Sequence, residues 1–340
     1  MNRLLYLLHL LLFCLTLSLP WSVQAQAPQR VTIDNFARAE TDHYFRTYVA
    51  QGALGRFFHL RDVTPLDQQG VVRMNRDTLY SFAIIDLDAG PVTVELPDTR
   101  GRFMSLLLID QDHYNPAVFY APGKHRFTRA EIGTRYLGLA IRTFLDPNDP
   151  ADVAAARAAQ DGLRIEQPGG PGVWQAPQWD KPSQEALRNA LSALVPFADF
   201  KNGFGARGQV DPVARLVATA AGWGGNPAHA AIYLPILPPE PGRSWRMRLA
   251  DVPVDGFWSV TVYDARGYMV PNPRNAVSLN NVTANRGADG SVTVQFGGCT
   301  DTTPNCLPVP SPWNAVLRLY RPRAEVTDGR WRMPALEAIP

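Results

Sequence analysis

The sequence predicts a mainly β protein with α insertions, built as two β-sandwich or jelly-roll-like portions joined by a helical segment. Three observations carry this prediction. Thirty prolines and 26 glycines punctuate a chain that is 46% hydrophobic and rich in Val, Thr, Tyr, Phe and Trp, a composition of short strands and tight turns. Strand-like alternation occurs in two separate stretches, with helix signals between them. The 340 residues are also enough for two cores.

Residues 1–25 read as a secretory leader. Arg3 supplies the positive start, residues 4–19 an apolar run too short for a typical membrane span, and Val23-Gln24-Ala25 small residues at a cleavage point. Cys14 follows bulky Leu12 and Phe13 rather than the small residues of a lipoprotein signal, so it belongs to the leader. The expected location is periplasmic or secreted. The first domain, 26–148, opens with an amphipathic helix in which Ile33, Phe36, Ala37, Tyr44 and Tyr48 recur at helical spacing. Thr32 or Asp34 is its expected cap and Gly52 its stop. Strands follow at 79–86, 92–96, 103–110 and 137–145, read as one antiparallel sheet system. The run 103–110 is apolar on both faces except at its end, which puts it inside a sheet with Asp110 at the mouth.

Residues 149–241 read as a helical connector. One helix covers 151–162, a second runs from a Ser183 cap to 195, and a third starts at Asp211-Pro212 and ends at Gly222, Gly224 and Gly225. Segments 166–174 and 237–242 hold too many breakers for regular structure, and the second is the expected domain seam. In the last domain, 242–340, Trp245, Met247 and Leu249 alternate with arginines, and further strands fall at 257–264, 291–296 and 315–320.

The balance of 33 basic and 31 acidic residues leaves no broad charge footprint for nucleic acid, and no later apolar run is long enough to span a membrane. In an oxidising compartment Cys299 and Cys306 form a disulfide by default; their spacing is not the C-x-x-C of a redox or metal pair. So short a loop contributes about 2–3 kcal/mol.

Several strings in order resemble one bacterial family: Asn75-Arg-Asp-Thr-Leu-Tyr80, Arg102-Phe-Met-Ser105, Gln111-Asp-His-Tyr114, Gly222-Trp-Gly-Gly-Asn-Pro227, Asp255-Gly-Phe-Trp-Ser-Val-Thr-Val-Tyr-Asp264, Asn305-Cys-Leu-Pro308 and Leu317-Arg-Leu-Tyr-Arg-Pro322. The pattern is similar to exported bacterial proteins in which domain of unknown function 1254 precedes domain of unknown function 1214. The resemblance implies two β-sandwich-like portions with helices between them, and transfers no catalytic residue.

The densest polar cluster is Asp110-Gln111-Asp112-His113-Tyr114. On an extended chain Asp110 and Asp112 share one face, where they can share a proton or, with Asn75 and Asp77, hold Ca²⁺ or Mg²⁺. His113 beside Asp112 is a candidate general base. In this reading Asp112 and His113 move protons, Asp77 and Asp110 position water or a cation (candidate metal ligands Asp77, Asp110 and Asp112), and Asn75, Tyr80, Tyr114, Trp223 and Asn226 line a cleft. Hydrolysis of a polar small or polymeric substrate is then the most economical reaction. The competing structural reading is that these side chains cap turns and that the 222–227 glycines end a helix. Serine esterase, zinc protease, P-loop and Rossmann motifs do not occur. Two other classes stand beside the hydrolase: a non-catalytic carbohydrate or metabolite binder, and a β protein that pairs with itself as a homo-oligomer.

One measurement checks the leader. Intact mass and amino-terminal sequencing of the protein from the periplasmic fraction of a bacterial host are expected to give a chain starting at Gln26; an uncleaved chain in the cytosol removes the export assignment.

Overall fold

Period-two alternation sorts the strands into two pairs of stacked sheets. The computed structural model describes residues 27–69, 73–198, 200–240 and 242–339; the leader expected at 1–25 lies outside them. In the first half β1 (Phe58–Leu60), β2 (Thr78–Asp86), β4 (Met104–Asp110), β5 (Val118–Phe119) and β7 (Tyr136–Phe144) form a sheet ordered β1-β2-β7-β4-β5. A second layer, ordered β6-β3-β8, contains β3 (Val92–Leu96), β6 (Gly123–Phe127) and β8 (Arg164–Glu166). Val92, Val94 and Leu96 pack against Leu106, Leu108, Leu139 and Ile141 from the facing sheet. The single sheet system expected from sequence is therefore two sheets. The 3₁₀ turn Leu87–Ala89, ending at Gly90 with φ 118°, carries the chain from one layer to the other.

The second half repeats the plan. β9 (Ala231–Ile236), β11 (Trp258–Asp264), β12 (Ser278–Asn280) and β15 (Trp313–Tyr320) are ordered β12-β11-β15-β9. They face β10 (Trp245–Leu249), β13 (Val292–Phe296), β14 (Cys306–Leu307) and β16 (Glu337–Ala338), ordered β14-β13-β10-β16. Trp245, Met247, Leu249, Trp258, Val260 and Leu317 fill this core. Both β8 and β9 fall inside the 149–241 stretch expected to be connector, yet pair with β3 and β15. Segment 237–242 is consequently a link between strands of the second sandwich. Pro235 and alternate exposure make β9 an edge strand with a weak apolar signal.

The helices are α1 (Phe36–Ala50), α3 (Pro150–Asp161), α4 (Lys181–Ser192) and α5 (Pro212–Gly222), with short α2 (Arg129–Ile132) and α6 (Ala324–Thr327). Asp149, Asp180 and Asp211 each accept a first-turn backbone N–H. Ser183 is thus in the first turn of α4 and its cap is Asp180. For α1 the flanking residue is Asn35, which accepts Thr32 N–H instead of capping the helix. α1 lies against the outer face of the five-stranded sheet, where a Cβ on Gly138 would come within 2.6 Å of Phe45.

The two five- and four-stranded sheets match rung for rung. Ser105 and Tyr80 flank Arg142 across β4-β7-β2; Ser259 and Tyr233 flank Arg318 across β11-β15-β9. Phe144 N–H donates to Phe103 O, and Tyr320 N–H to Phe257 O. Asp110 and Asp264 close equivalent turns, each Oδ1 accepting N–H from residues two and four further on. A left-handed residue, His113 or Gly267, occupies the same place in each. The halves follow one sandwich plan.

The disulfide expected between Cys299 and Cys306 is present, at the β14 edge. Because it closes a short loop outside the main core, Cys299→Ser is expected to lower unfolding free energy by about 2–3 kcal/mol with the fold retained, measured by denaturant titration and far-UV circular dichroism.

Candidate functional site

The polar residues singled out from the sequence fall into two groups at opposite ends of the five-stranded sheet. Asp77 precedes β2, whose first residue pairs with Phe144, whereas Asp110 pairs with Leu137 at the other end of β7. At the rise of an extended strand these ends are roughly 23 Å apart. Asp77, Asp110 and Asp112 therefore do not share a cation, and the described residues contain no cluster of three or more His, Cys, Asp or Glu suited to a metal.

At the far end the chain does not stay extended after Asp110: it turns back, with His113 at φ 62°. Asp110 Oδ1 accepts Asp112 and Tyr114 N–H. Burial chiefly, with neighbouring Asp112, pushes the Asp110 pKa up to about 6. Asp112, although partly buried, is held below the ordinary carboxylate range by Arg38 and Arg207, at 2.6 and 2.9 Å. The guanidiniums of Arg207 and Arg215 lie over the Tyr114 ring at 4.3 and 4.5 Å. His113 is 1% exposed, and both ring nitrogens are engaged: Nδ1 with Thr219 Oγ1 at 2.7 Å and Nε2 accepting Gly224 N–H at 2.9 Å. Burial, reinforced by Arg215, lowers its pKa to about 3. A neutral, doubly bonded imidazole has no nitrogen left for a substrate proton, so the general-base role expected for His113 with Asp112 is corrected to a structural tie between the turn and α5. Trp223 is likewise a packing residue, stacked between Tyr44 and His113 with Nε1 donating to Thr41 Oγ1. It does not line a cleft between the halves.

The other group lies where the outer faces of the two matching sheets meet. Asn75 Nδ2 donates to Tyr80 OH and Tyr320 OH at 2.9 and 3.2 Å, and Asn226 Nδ2 to Tyr233 OH at 2.9 Å. Asn75, Asp77, Tyr80 and Asn226, all proposed from sequence, do converge here. At the centre is Arg142, 8% exposed, with Nη2 donating to Gly224 O at 2.9 Å, Nη1 reaching Asn226 Oδ1 at 3.4 Å, and Tyr80 beneath it at 5.5 Å. Among the described residues no carboxylate forms an ion pair with Arg142. Burial opposes its charge, while Tyr80, Tyr233 and Tyr320 favour it. Burial, then Tyr233 and Tyr80, raise Tyr320 well above a free phenol. The Tyr120 pKa is pushed up to about 12 by burial, and its oxygen is buried without a hydrogen-bond partner.

Residues 54–128 match the family model described as Protein of unknown function (DUF1254), and residues 238–324 match Protein of unknown function (DUF1214). Both matches fall in one polypeptide. Structurally, the chain is similar to the VPA0106 protein from Vibrio parahaemolyticus, with a TM-score of 0.69 at 20% identity over 91% of this chain and 98% of that one. It is also similar to a putative uncharacterized protein from Burkholderia cenocepacia, with a TM-score of 0.50 at 15% identity over 90% and 87%. At these identities the likeness concerns the fold. No curated protein matches the sequence.

Sequence reasoning missed Arg142, Ser105, Tyr120, Tyr233 and Tyr320. The available signal was the repeat: Phe103-Met-Ser105, Asp110 and Tyr114 recur at the same spacing as Phe257-Trp-Ser259, Asp264 and Tyr268. The strings Ile141-Arg-Thr-Phe144 and Leu317-Arg-Leu-Tyr320 each place one arginine in an otherwise apolar strand.

The His113 assignment has a pH consequence. Its folded pKa, about 3, lies below the unfolded value of 6.5, so its contribution is complete above 6.5 and is lost as pH falls toward 3. Asp110, raised to about 6 from 3.8, takes up its proton earlier when folded and offsets part of that loss. His113→Gln is expected to lose less stability than wild type between pH 6.5 and 4, relative to its own value at pH 7.5, by denaturant titration at each pH; equal losses exclude a buried neutral His113.

Proposed function

We propose that this is an exported binding protein that takes up a small anionic molecule at Arg142, in the seam between its two sandwiches. The observation that carries the reading is a mid-sheet guanidinium withdrawn from water with carbonyl, amide and ring partners but no anion. An uncompensated buried charge costs about 3–5 kcal/mol, on the scale seen when a buried pair loses one member. A guanidinium keeps its charge and presents forked donors, so an anionic oxygen pair is the complementary occupant. Tyr233, 36% exposed at the rim, marks the side from which solvent reaches the cluster. The neighbouring hydroxyls of Tyr80, Tyr120, Tyr233 and Tyr320 can donate to such a group.

This favours the metabolite-binding alternative over hydrolysis, since at the far end His113 is tied to Thr219 and Gly224, Asp112 to Arg38 and Arg207, and Asp110 to the N–H groups of its own turn. The leader read from residues 1–25 and the disulfide are the support for export.

Arg142→Met is the direct test. Without ligand its thermal midpoint is expected to equal or exceed that of the wild type, because a desolvated charge is removed. The midpoint rise that wild type shows with added small anions is expected to vanish. A wild-type protein whose midpoint responds to no anion, or a variant that responds equally, removes the proposal.

A further inference from the structure

The shared plan offers an internal comparison for the occupant of the Arg142 site. Each arginine donates to the carbonyl of a left-handed residue on a loop from the opposite half: Arg318 Nη2 to Arg73 O at 2.6 Å, and Arg142 Nη2 to Gly224 O at 2.9 Å. Two residues further on, each loop carries the asparagine that donates to its rung tyrosine, Asn75 to Tyr80 and Asn226 to Tyr233.

Beyond the asparagine the loops differ. The first continues to Asp77, fully buried, whose Oδ1 accepts Asn280 Nδ2 at 3.0 Å. Asn280 pairs with Ser259, which pairs with Arg318, so Asp77 meets the Asn280–Ser259–Arg318 rung at Asn280, with its Oδ2 unpartnered and no ion pair to Arg318. The second loop has Ala228 at the corresponding distance from its asparagine, and Ala230 at the corresponding distance from its tyrosine. Neither brings a carboxylate to Arg142.

The rung that would receive it is complete in its other parts. Ser105 pairs with Arg142, and the β4–β5 register, Leu107 with Val118 and Leu106 with Phe119, places Tyr120 next to Ser105. Tyr120 therefore stands where Asn280 stands in the other half. Asn280 spends its amide on Asp77, whereas the Tyr120 hydroxyl is buried with no partner.

We infer that the occupant of the Arg142 site is a carboxylate, held by Arg142, Tyr120 and Ser105 in the place that the Asp77 side chain fills on the Arg318 rung. The inference rests on the anion-binding reading above and narrows it to a planar, two-oxygen group. A tetrahedral dianion brings more oxygens and charge than the one aspartate that the sister rung carries.

The test titrates the mature protein with acetate and benzoate on one side and inorganic phosphate and sulfate on the other, at constant ionic strength, by calorimetry and thermal midpoint. The carboxylates are expected to bind at least tenfold more tightly than either tetrahedral anion. Tyr120→Phe, which keeps the ring packed on Phe103, is expected to lose about tenfold in carboxylate affinity, and Arg142→Met all of it. Equal or tighter binding of phosphate or sulfate through Arg142, or an unchanged carboxylate affinity in Tyr120→Phe, overturns the carboxylate assignment and leaves anion binding standing. Failure of all four probes to bind overturns both.

Discussion

The structure depends on how two arginines in the middle of two sheets are satisfied. A guanidinium on the outer face of a sandwich is unremarkable while that face meets water; it becomes a constraint when a second sandwich covers it. Here each half brings such a face, and the faces are pressed together through Phe103, Phe144, Phe257 and Tyr320, whose rings lie 4.2–5.9 Å apart. The aromatic contact supplies the burial that holds the halves together. The arginines decide what else must be in the seam. Carbonyl oxygens at Arg73 and Gly224 are the shared answer, and both need a backbone in the left-handed region to be aimed inward.

The fold was largely legible because alternation, turn residues and helix caps all act locally. Strand 92–96 has the bounds the sequence implies, and Asp211-Pro212 starts a helix as its chemistry requires. Where the reading slipped, a tertiary cause is visible. β9 is an edge strand with one prolyl residue and an exposed tyrosine, and only pairing with β15 makes it a strand. Ser183 looks like a cap, but Asp180 accepts hydrogen bonds from both its N–H and its hydroxyl.

The site was half legible for a related reason. Asn75, Asp77, Tyr80 and Asn226 stand out as polar residues at element boundaries, and they meet. Arg142 hides inside an apolar strand, where one charged residue reads as an exposed face. The Asp110–Tyr114 string drew attention because charge is dense there, yet dense charge at a strand end is what a tight turn requires: one carboxylate oxygen gathers two backbone N–H groups and two arginines neutralise the rest. Repetition of the turn at Asp264, with Gly267 where the first half has His113, shows that imidazole chemistry is not needed for the geometry.

The two halves share a rung plan but surround its arginine differently. Among the described residues neither Arg142 nor Arg318 forms an ion pair with a carboxylate. Arg318 has Asp77 in its neighbourhood, where burial raises the aspartate's pKa and Asn280, Ser259 and the charge of Arg318 act against that rise. The loop after Asn226 has Ala228 and Ala230 where the loop after Asn75 has Asp77, so the carbonyl, the amide and the rung are kept on the Arg142 side without that aspartate. The proposed anion site at Arg142 rests on that difference, because a buried guanidinium held only by dipoles costs more to keep charged than one with a carboxylate in its neighbourhood.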